Sequence, residues 1–307
     1  MKSLSDYFYA TRPWSFPCIF APAFVTLALA YDAETFETWV FVETYVFLLA
    51  AHILGNLANA YFDFVSGNDA DKKGKATGDR FLLDGVMTLG EIKGMMYISA
   101  AVMVGTAGHL LVHFSDDEVL EPGVRHQLLT TGIIGALISV FYTAPPISFK
   151  LHALGEVCLF LCFGVLPITG AYTLLTHGSW DLARTLLPSL PLGVITAAVL
   201  HCNNTRDRRD DARMGGVTMA MLMGFERAYV TYILMIALAY ALAFYEAYRR
   251  GSYIMLLPVL SLWKALNNIW MFRKQDLAGL DEHTAVFALF FGAPFALGLY
   301  LNNEYLL

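Results

Sequence analysis

Nine long apolar runs alternate with short polar segments along the chain. The runs lie near 14–32, 39–62, 92–114, 127–145, 153–176, 186–203, 226–248, 252–272 and 283–302. An apolar run of about 20 residues spans a bilayer as a helix, whereas a barrel strand needs about 10 residues of strict alternation. We find no such alternation in the sequence. The pattern therefore predicts an all-α, polytopic membrane bundle of nine transmembrane helices, in one domain over residues 1–307.

The composition agrees with a membrane protein rather than a soluble one. Of the 307 residues, 57% are hydrophobic and 15% are charged, whereas soluble domains carry about 25% charged residues. The net charge of −6 is uninformative, because acidic and basic residues crowd into the same two loops. We expect the lipid bilayer as a partner and no nucleic acid. The four cysteines lie in or beside apolar runs and are predicted to be packed thiols: Cys18, Cys158, Cys162 and Cys202.

The distribution of Lys and Arg predicts the orientation. With nine spans, the N-terminus and the loops that follow the even-numbered spans share one side, which holds 15 of the 20 basic residues. The other side holds four, and Lys264 falls inside the eighth span. Positive charge favours the cytosolic side, so we expect the basic side to be cytosolic. The first residues lack the layout of a signal peptide. They predict a short amphipathic segment before the first span, with Trp14 at the membrane interface.

One polar pattern occurs twice, 144 positions apart, at the cytosolic end of an apolar run. Asn59 precedes Asp63 by four residues, and Asn203 precedes Asp207 by four, with Asp211 four further on. Residues at i and i+4 share a helix face, so each copy presents an amide beside a carboxylate. The spacing predicts two related four-helix units plus one helix, with the site at the interface of the repeats.

These residue types are suited to magnesium. Mg²⁺ takes hard oxygen ligands, commonly one or two carboxylates together with substrate phosphate. Two facing clusters would each carry one Mg²⁺ and hold a diphosphate between them, and Gly67 would let Asp69 fold back toward Asp63. The motif loops 63–93 and 203–226 would then cap the cytosolic end. The alternative is that the acids are solvated loop residues paired with nearby Lys and Arg, but duplication at matched helix ends favours the metal site.

Five stretches of the sequence resemble one known family. They are RPWSF at 12–16, GNLANAYFDFVSGND at 55–69, DRFLLDG at 79–85, YTAPPISFKLHALGE at 142–156 and NNTRDRRDDARMGGVTMA at 203–220. Together they resemble the UbiA superfamily of intramembrane aromatic prenyltransferases. The Asn-x3-Asp-x5-Asp form of the first motif is most similar to the 1,4-dihydroxy-2-naphthoate prenyltransferases (MenA) and to their animal relatives that form menaquinone-4.

The resemblance implies roles for individual residues. Two Mg²⁺ ions, and through them a prenyl diphosphate, would be bound by Asn59, Asp63, Asp69, Asn203, Asp207 and Asp211. Further contacts to the substrate would come from Arg12, Asp79, Arg80, Tyr142, Lys150 and Arg206. For Tyr142 an interfacial anchor, and for Lys150 a topology signal, remain alternatives. The reaction implied is ionisation of the prenyl diphosphate and attack by an electron-rich ring carbon of the acceptor, with loss of the ring carboxylate in the naphthoate case.

Other functions stay open from the sequence. A member of the same superfamily could use another aromatic acceptor, or cyclise its diphosphate with no acceptor. The repeat and Lys264 would also suit a non-enzymatic lipid carrier or sensor. A transporter should place polar groups near mid-membrane, whereas the acids here gather at one rim, which favours an enzyme. Glu156, His52 and His201 are expected to have structural roles.

Overall fold

Nine long helices make up the described part of the fold. A computed structural model describes residues 3–65, 67, 81–115, 123–143, 146–178, 181–213 and 215–305. Within these ranges no strand forms, and nine helices are long and apolar enough to cross a membrane. A short helix, α1 (Leu4–Ala10), precedes them. The nine are α2 (Pro13–Ala30), α3 (Thr38–Val65), α4 (Leu89–His113), α5 (Val124–Thr143), α6 (Gly155–Leu175), α7 (Leu182–Arg213), α8 (Met219–Arg250), α9 (Tyr253–Arg273) and α10 (Leu280–Asn303). The all-α bundle predicted from the apolar runs is confirmed.

The second motif lies on a helix rather than in a loop. We expected the loop to begin at Asn203, but α7 continues to Arg213. The hydropathy pattern stops at the first charged residue, whereas the helix continues because Arg and the other charged residues tolerate helical geometry and because Asp210 pairs with Arg213 one turn later. The cap expected over 203–226 is therefore mostly helical. Gly224 (φ +72°) interrupts α8. The uninterrupted part of α8 therefore starts after Gly224, close to residue 226, where the apolar run was predicted to begin.

The bundle is built around α7. In its most apolar stretch, 78% of the residues are buried, compared with 61% in α2 and 11% in α4 and α5. Helix α7 packs against α6, α8 and α10, and α10 packs against α2. The exposed sides of α4 and α5 carry large apolar residues such as Val104 and Ile133, as expected of helices that face lipid. The helix that carries the second motif is thus the central one.

Two glycines allow α6 and α7 to touch. A Cβ atom added to Gly164 would lie 2.6 Å from the Cα atom of Gly193. Around Gly164 the helix widens into a π-helical turn, Leu161–Val165. Small residues that permit such close approach are a common packing device in membranes, where no hydrophobic force holds helices together. The contact fixes α6, and with it the loop that precedes α6, against the motif-bearing helix.

Candidate active site

The first motif forms a compact polar group at the end of α3. Asn59 Oδ1 and Asp63 Oδ1 both accept hydrogen bonds from Lys150 Nζ, at 2.8 and 3.0 Å. Lys150 lies in a 3-10 turn, Phe149–Leu151, between α5 and α6. The side chains of Asp63 and Lys150 are only 14% and 19% exposed. The amide and the carboxylate therefore share a helix face, as their spacing predicts, and converge on one cation.

The second motif repeats this arrangement with a different cation. Arg206 donates from Nε to Asp207 Oδ1 at 2.9 Å and from Nη2 to Asp207 Oδ2 at 3.0 Å. The same Nη2 also bonds Asn203 Oδ1. Arg206 Nη1 donates to Asp281 Oδ1 at 2.9 Å. Each motif thus presents amide and carboxylate oxygens to one positive group.

Asp281 is a member of the site that the sequence pattern did not identify. It lies in the first turn of α10, where an acidic residue is favoured by the helix dipole alone. From the sequence alone, an acidic residue at the start of an apolar run is therefore expected to have a structural role. Only the packing of α10 beside α7 brings its carboxylate to Arg206.

The loop between α5 and α6 connects the two motifs. Beyond Lys150, Leu151 accepts a hydrogen bond from Val217 N at 2.9 Å, and Ala153 N donates to Val217 O at 2.7 Å. Val217 follows the second motif, and Gly216 N in turn donates to the backbone carbonyl of Asp211 at 3.3 Å. One loop therefore contacts the first motif through a side chain and the segment after the second motif through its backbone.

A buried polar group supports the base of this loop. Glu156 and His201 are 3% and 0% exposed. Glu156 Oε1 accepts a hydrogen bond from Asn204 Nδ2 at 3.1 Å and lies 3.4 Å from His201 Nδ1, while His201 Nε2 lies 2.9 Å from Ala228 O. Glu156 begins α6 and Asn204 adjoins Asn203, so this group ties the start of α6 to the second motif. These contacts agree with the structural roles expected for Glu156 and His201.

Tyr142 and Arg12 border the first motif. Tyr142, near the end of α5, interacts electrostatically with Glu156, Asp63 and Arg12. Its ring lies 3.7 Å from the position that a Cβ atom on Gly155 would take. Arg12 has a left-handed backbone (φ +59°) immediately before the helix-starting Pro13, and this turn brings α2 into the bundle beside α3. Both residues therefore lie near the first motif.

The structure brings six of the predicted residues into two groups. One contains Asn59, Asp63 and Lys150, and the other contains Asn203, Arg206 and Asp207. Tyr142 and Arg12 lie near the first group, and Asp211 lies one helical turn beyond Asp207 on α7. Asp69, Asp79 and Arg80 lie outside the described residues. Besides Asp281, the structure adds Asn204, which the sequence analysis did not single out.

The donor set fits magnesium. Asn59 Oδ1 and Asp63 Oδ1 already meet at one ammonium nitrogen, and Asn203 Oδ1 and the Asp207 carboxylate meet at one guanidinium. In each motif the oxygens therefore lie close enough together to contact one positive group. Hard amide and carboxylate oxygens are the ligands that Mg²⁺ prefers.

Lys264, whose partner the sequence left open, is almost buried within α9. It is 9% exposed, and its Nζ lies 5.7 Å from the ring centroid of Trp263 and 5.8 Å from that of Phe290. Aromatic faces stabilise a cation in this geometry. Neither ring belongs to a motif.

Comparisons with known proteins agree with this architecture. The model of the UbiA prenyltransferase family matches residues 19–291. The UbiA prenyltransferase domain-containing protein 1 homolog of Drosophila melanogaster is 33% identical over 294 residues, covering 94% of this chain and 77% of that protein.

Two solved structures share the fold. The apo structure of a UbiA homolog from Aeropyrum pernix K1 has a TM-score of 0.63 at 18% identity, covering 91% of this chain and 97% of its own. A UbiA homolog from Archaeoglobus fulgidus, bound to GPP and Mg²⁺, has a TM-score of 0.58 at 15% identity, covering 94% of this chain and 99% of its own. The chain therefore belongs to the UbiA prenyltransferase family, as a multi-pass integral membrane protein and a prenyltransferase.

Proposed function

We propose that the protein transfers a polyprenyl group from a prenyl diphosphate to an aromatic acceptor in a Mg²⁺-dependent reaction. The acceptor is 1,4-dihydroxy-2-naphthoate or a naphthoquinol, and the product is a quinone precursor of the menaquinone or vitamin K type. The observation that carries the proposal is the convergence of each Asn/Asp motif on one cation, with a single loop between the two motifs. The Archaeoglobus homolog bound to GPP and Mg²⁺ supports the substrate class.

In this proposal the diphosphate lies between the two motifs. Asn59, Asp63, Asn203, Asp207 and Asp211, with Asp69, would hold two Mg²⁺ ions, which when bound neutralise charge on the leaving diphosphate. Lys150 and Arg206 already lie beside those carboxylates and would donate N–H groups to the diphosphate oxygens. Preorganised donors of this kind stabilise developing charge without reorganisation.

The remaining side chains of the site would bind, orient and shield the substrate. Arg12 would add a third cation for the diphosphate, Asp79 and Arg80 would contribute from the first motif loop, and Tyr142 would line the adjoining wall. The bond between C1 and the diphosphate oxygen breaks, and its electron pair leaves with the diphosphate. A ring carbon of the acceptor then bonds to C1, and the ring loses CO2 when it carries the carboxylate, or a proton when it does not. The apolar surfaces of the bundle would hold the prenyl tail and exclude water from the allylic cation.

The choice of a naphthoate-type acceptor rests on the first motif. Asp63 is followed by Gly67 and then by Asp69, the spacing that resembles the naphthoate branch.

A substrate screen tests the proposal. Purified protein receives geranylgeranyl diphosphate, Mg²⁺ and either 1,4-dihydroxy-2-naphthoate, another phenolic acceptor, or no acceptor, each with and without EDTA. We expect diphosphate release and prenylated product with the naphthoate, abolished by EDTA. Turnover without acceptor would identify a cyclase instead, and absence of product with prenyl diphosphates of every length tested would contradict the proposal.

The excess of basic residues at the motif end supports a cytosolic position for the site. We propose that the N-terminus and both motifs face the cytosol, where soluble diphosphates are available, while the lipid products stay in the bilayer.

A further inference from the structure

Three metal-ligating side chains meet at the end of the bundle opposite to the motifs. Glu37 immediately precedes α3, whose far end carries Asn59 and Asp63. His113 is the last residue of α4, and His177 follows the end of α6. The three residues come from three separate segments of the chain. The proposed prenyl transfer does not use any of them.

Their ligand atoms form one cluster. Glu37 Oε1 lies 3.3 Å from His113 Nε2 and 3.9 Å from His177 Nε2. One ligand atom from each residue lies within 4.8 Å of the other two. Among the described residues, neither Nε2 atom has a partner in hydrogen-bond geometry, although both are shielded from solvent. Two imidazole nitrogens shielded from solvent therefore lie near one carboxylate oxygen without forming a hydrogen bond to it.

Neighbouring groups hold these side chains in place. Trp39 Nε1 donates a 2.6 Å hydrogen bond to Glu37 Oε2, which leaves Oε1 for the two imidazoles. The His113 ring packs edge-to-face against Trp39 and Phe114, with centroids 4.7 and 4.6 Å apart. Phe114 packs in the same way against His177 at 5.2 Å. A second shell that orients both the carboxylate and the imidazoles is typical of metal sites.

An ordinary His–Glu ion pair accounts less well for this cluster. Such a pair exists nearby, where His109 Nδ1 lies 2.7 Å from Glu43 Oε2 and the histidine side chain is 63% exposed. Two protonated imidazoles around one carboxylate would repel each other.

We propose that Glu37, His113 and His177 bind a Zn²⁺ ion. Two imidazole nitrogens and one carboxylate oxygen are a known three-ligand set for zinc, with the fourth position open to water. The ion would join the start of α3, the end of α4 and the segment after α6, and so cross-link the first half of the bundle to the second. The ion would lie at the rim away from the prenyl-transfer chemistry.

Metal binding to the full chain tests the proposal. Chelator-stripped protein in detergent is titrated with Zn²⁺ against a fluorescent indicator, in excess Mg²⁺ to suppress binding at the acidic motifs. We expect one tight site per chain, weakened about 100-fold or more in H113Q and in H177Q. The matched control, H109Q, removes a histidine of the same rim and should bind Zn²⁺ as the wild type does. Equal affinity in wild type and H177Q would overturn the assignment.

Cobalt spectroscopy of the wild-type protein keeps the test independent of variant folding. Co²⁺ in a tetrahedral site gives strong visible bands, and Zn²⁺ should displace them. In a thermal melt, Zn²⁺ should raise the unfolding temperature of the wild type by ~2 °C or more, because a ligand that binds only the folded state stabilises it, and should leave that of H177Q unchanged. A wild-type protein with no cobalt bands and no shift would refute the site. None of these readouts depends on prenyl transfer.

Discussion

The ammonium group of Lys150 lies 3.0 Å from the carboxylate of Asp63, although 87 residues separate them in the chain. Both side chains are largely removed from water, and Lys150 also bonds Asn59. The contact joins the loop before α6 to the end of α3. It places a strong N–H donor and a carboxylate side by side in the proposed diphosphate site.

A double-mutant cycle can separate the contribution of this pair to stability from its contribution to activity. We expect Lys150→Met to lower the free energy of unfolding by about 1–3 kcal/mol, because it strands the partly buried Asp63 charge. Combining it with Asp63→Asn should recover part of that loss, whereas activity should stay low in both variants. Thermal melts and product formation measure the two effects. Lys274→Met, which removes a lysine beside Trp270 at the end of α9, serves as the control, and additive losses of stability would contradict the coupling.

Asp63 and Asp207, one carboxylate from each motif, are expected to be essential for turnover. Asp63→Asn and Asp207→Asn keep the shape of the side chain but remove a charge, so each should reduce kcat/KM at least ~100-fold, the scale seen on loss of one electrostatic group in an active site. Asp210→Asn, which also lies near the end of α7, is the control. Asp210 pairs with Arg213, so this variant should retain activity. Full activity in both motif variants would remove the proposed cation roles.

Asp281 is expected to act as a positioning residue through Arg206. In Asp281→Asn, Arg206 loses one of its charged partners, so KM for the prenyl diphosphate should rise ~10-fold, roughly the value of one charge-assisted hydrogen bond, with a smaller change in kcat. Asp281→Glu should restore part of the affinity. Glu282→Gln, one residue further, is the matched control. A fall in kcat with unchanged KM would show that Asp281 does not work by holding Arg206.

The contact between Gly164 and Gly193 is expected to be intolerant of a methyl group. Gly164→Ala would push a Cβ atom to 2.6 Å from the Gly193 backbone, and overpacking of this kind costs about 1–3 kcal/mol. Gly105→Ala in the lipid-facing α4 has no atom within 4 Å of the new Cβ and should be neutral or stabilising by up to about 1 kcal/mol from helix propensity. Thermal melts in detergent compare the two. Equal melting temperatures would mean that α6 and α7 can separate freely.

The orientation can be tested by glycosylation mapping. An acceptor site inserted after α6, near Gly178, should be glycosylated in microsomes, because the sparse positive charge predicts that this loop lies outside the cytosol. The same insertion near Gly215, beside the second motif, should remain unmodified. The reverse pattern would invert the topology and move the site to the other face.

Local features of the sequence predicted much of the site. The Asn/Asp spacing of four placed each amide beside its carboxylate, because helix geometry alone sets that relation. The end of α7 was predicted less well, since hydropathy marks where the apolar core ends and not where helical hydrogen bonding stops. The contacts of Lys150 with Asn59 and Asp63 follow neither from the Asn/Asp spacing nor from hydropathy. Many basic residues are predicted on the same side of the membrane, and these patterns do not select one of them as the partner.

What the sequence alone determined are the features that depend on near neighbours: the number and approximate position of the apolar helices, and the placement of each motif amide beside its carboxylate. What only the tertiary structure decided are the partners. Arg206 meets Asp281, and Glu37 meets His113 and His177, because helices from distant parts of the chain pack together. Hydropathy and spacing describe each helix by itself, whereas a charged side chain in a membrane protein finds its partner only when close packing brings another helix to it.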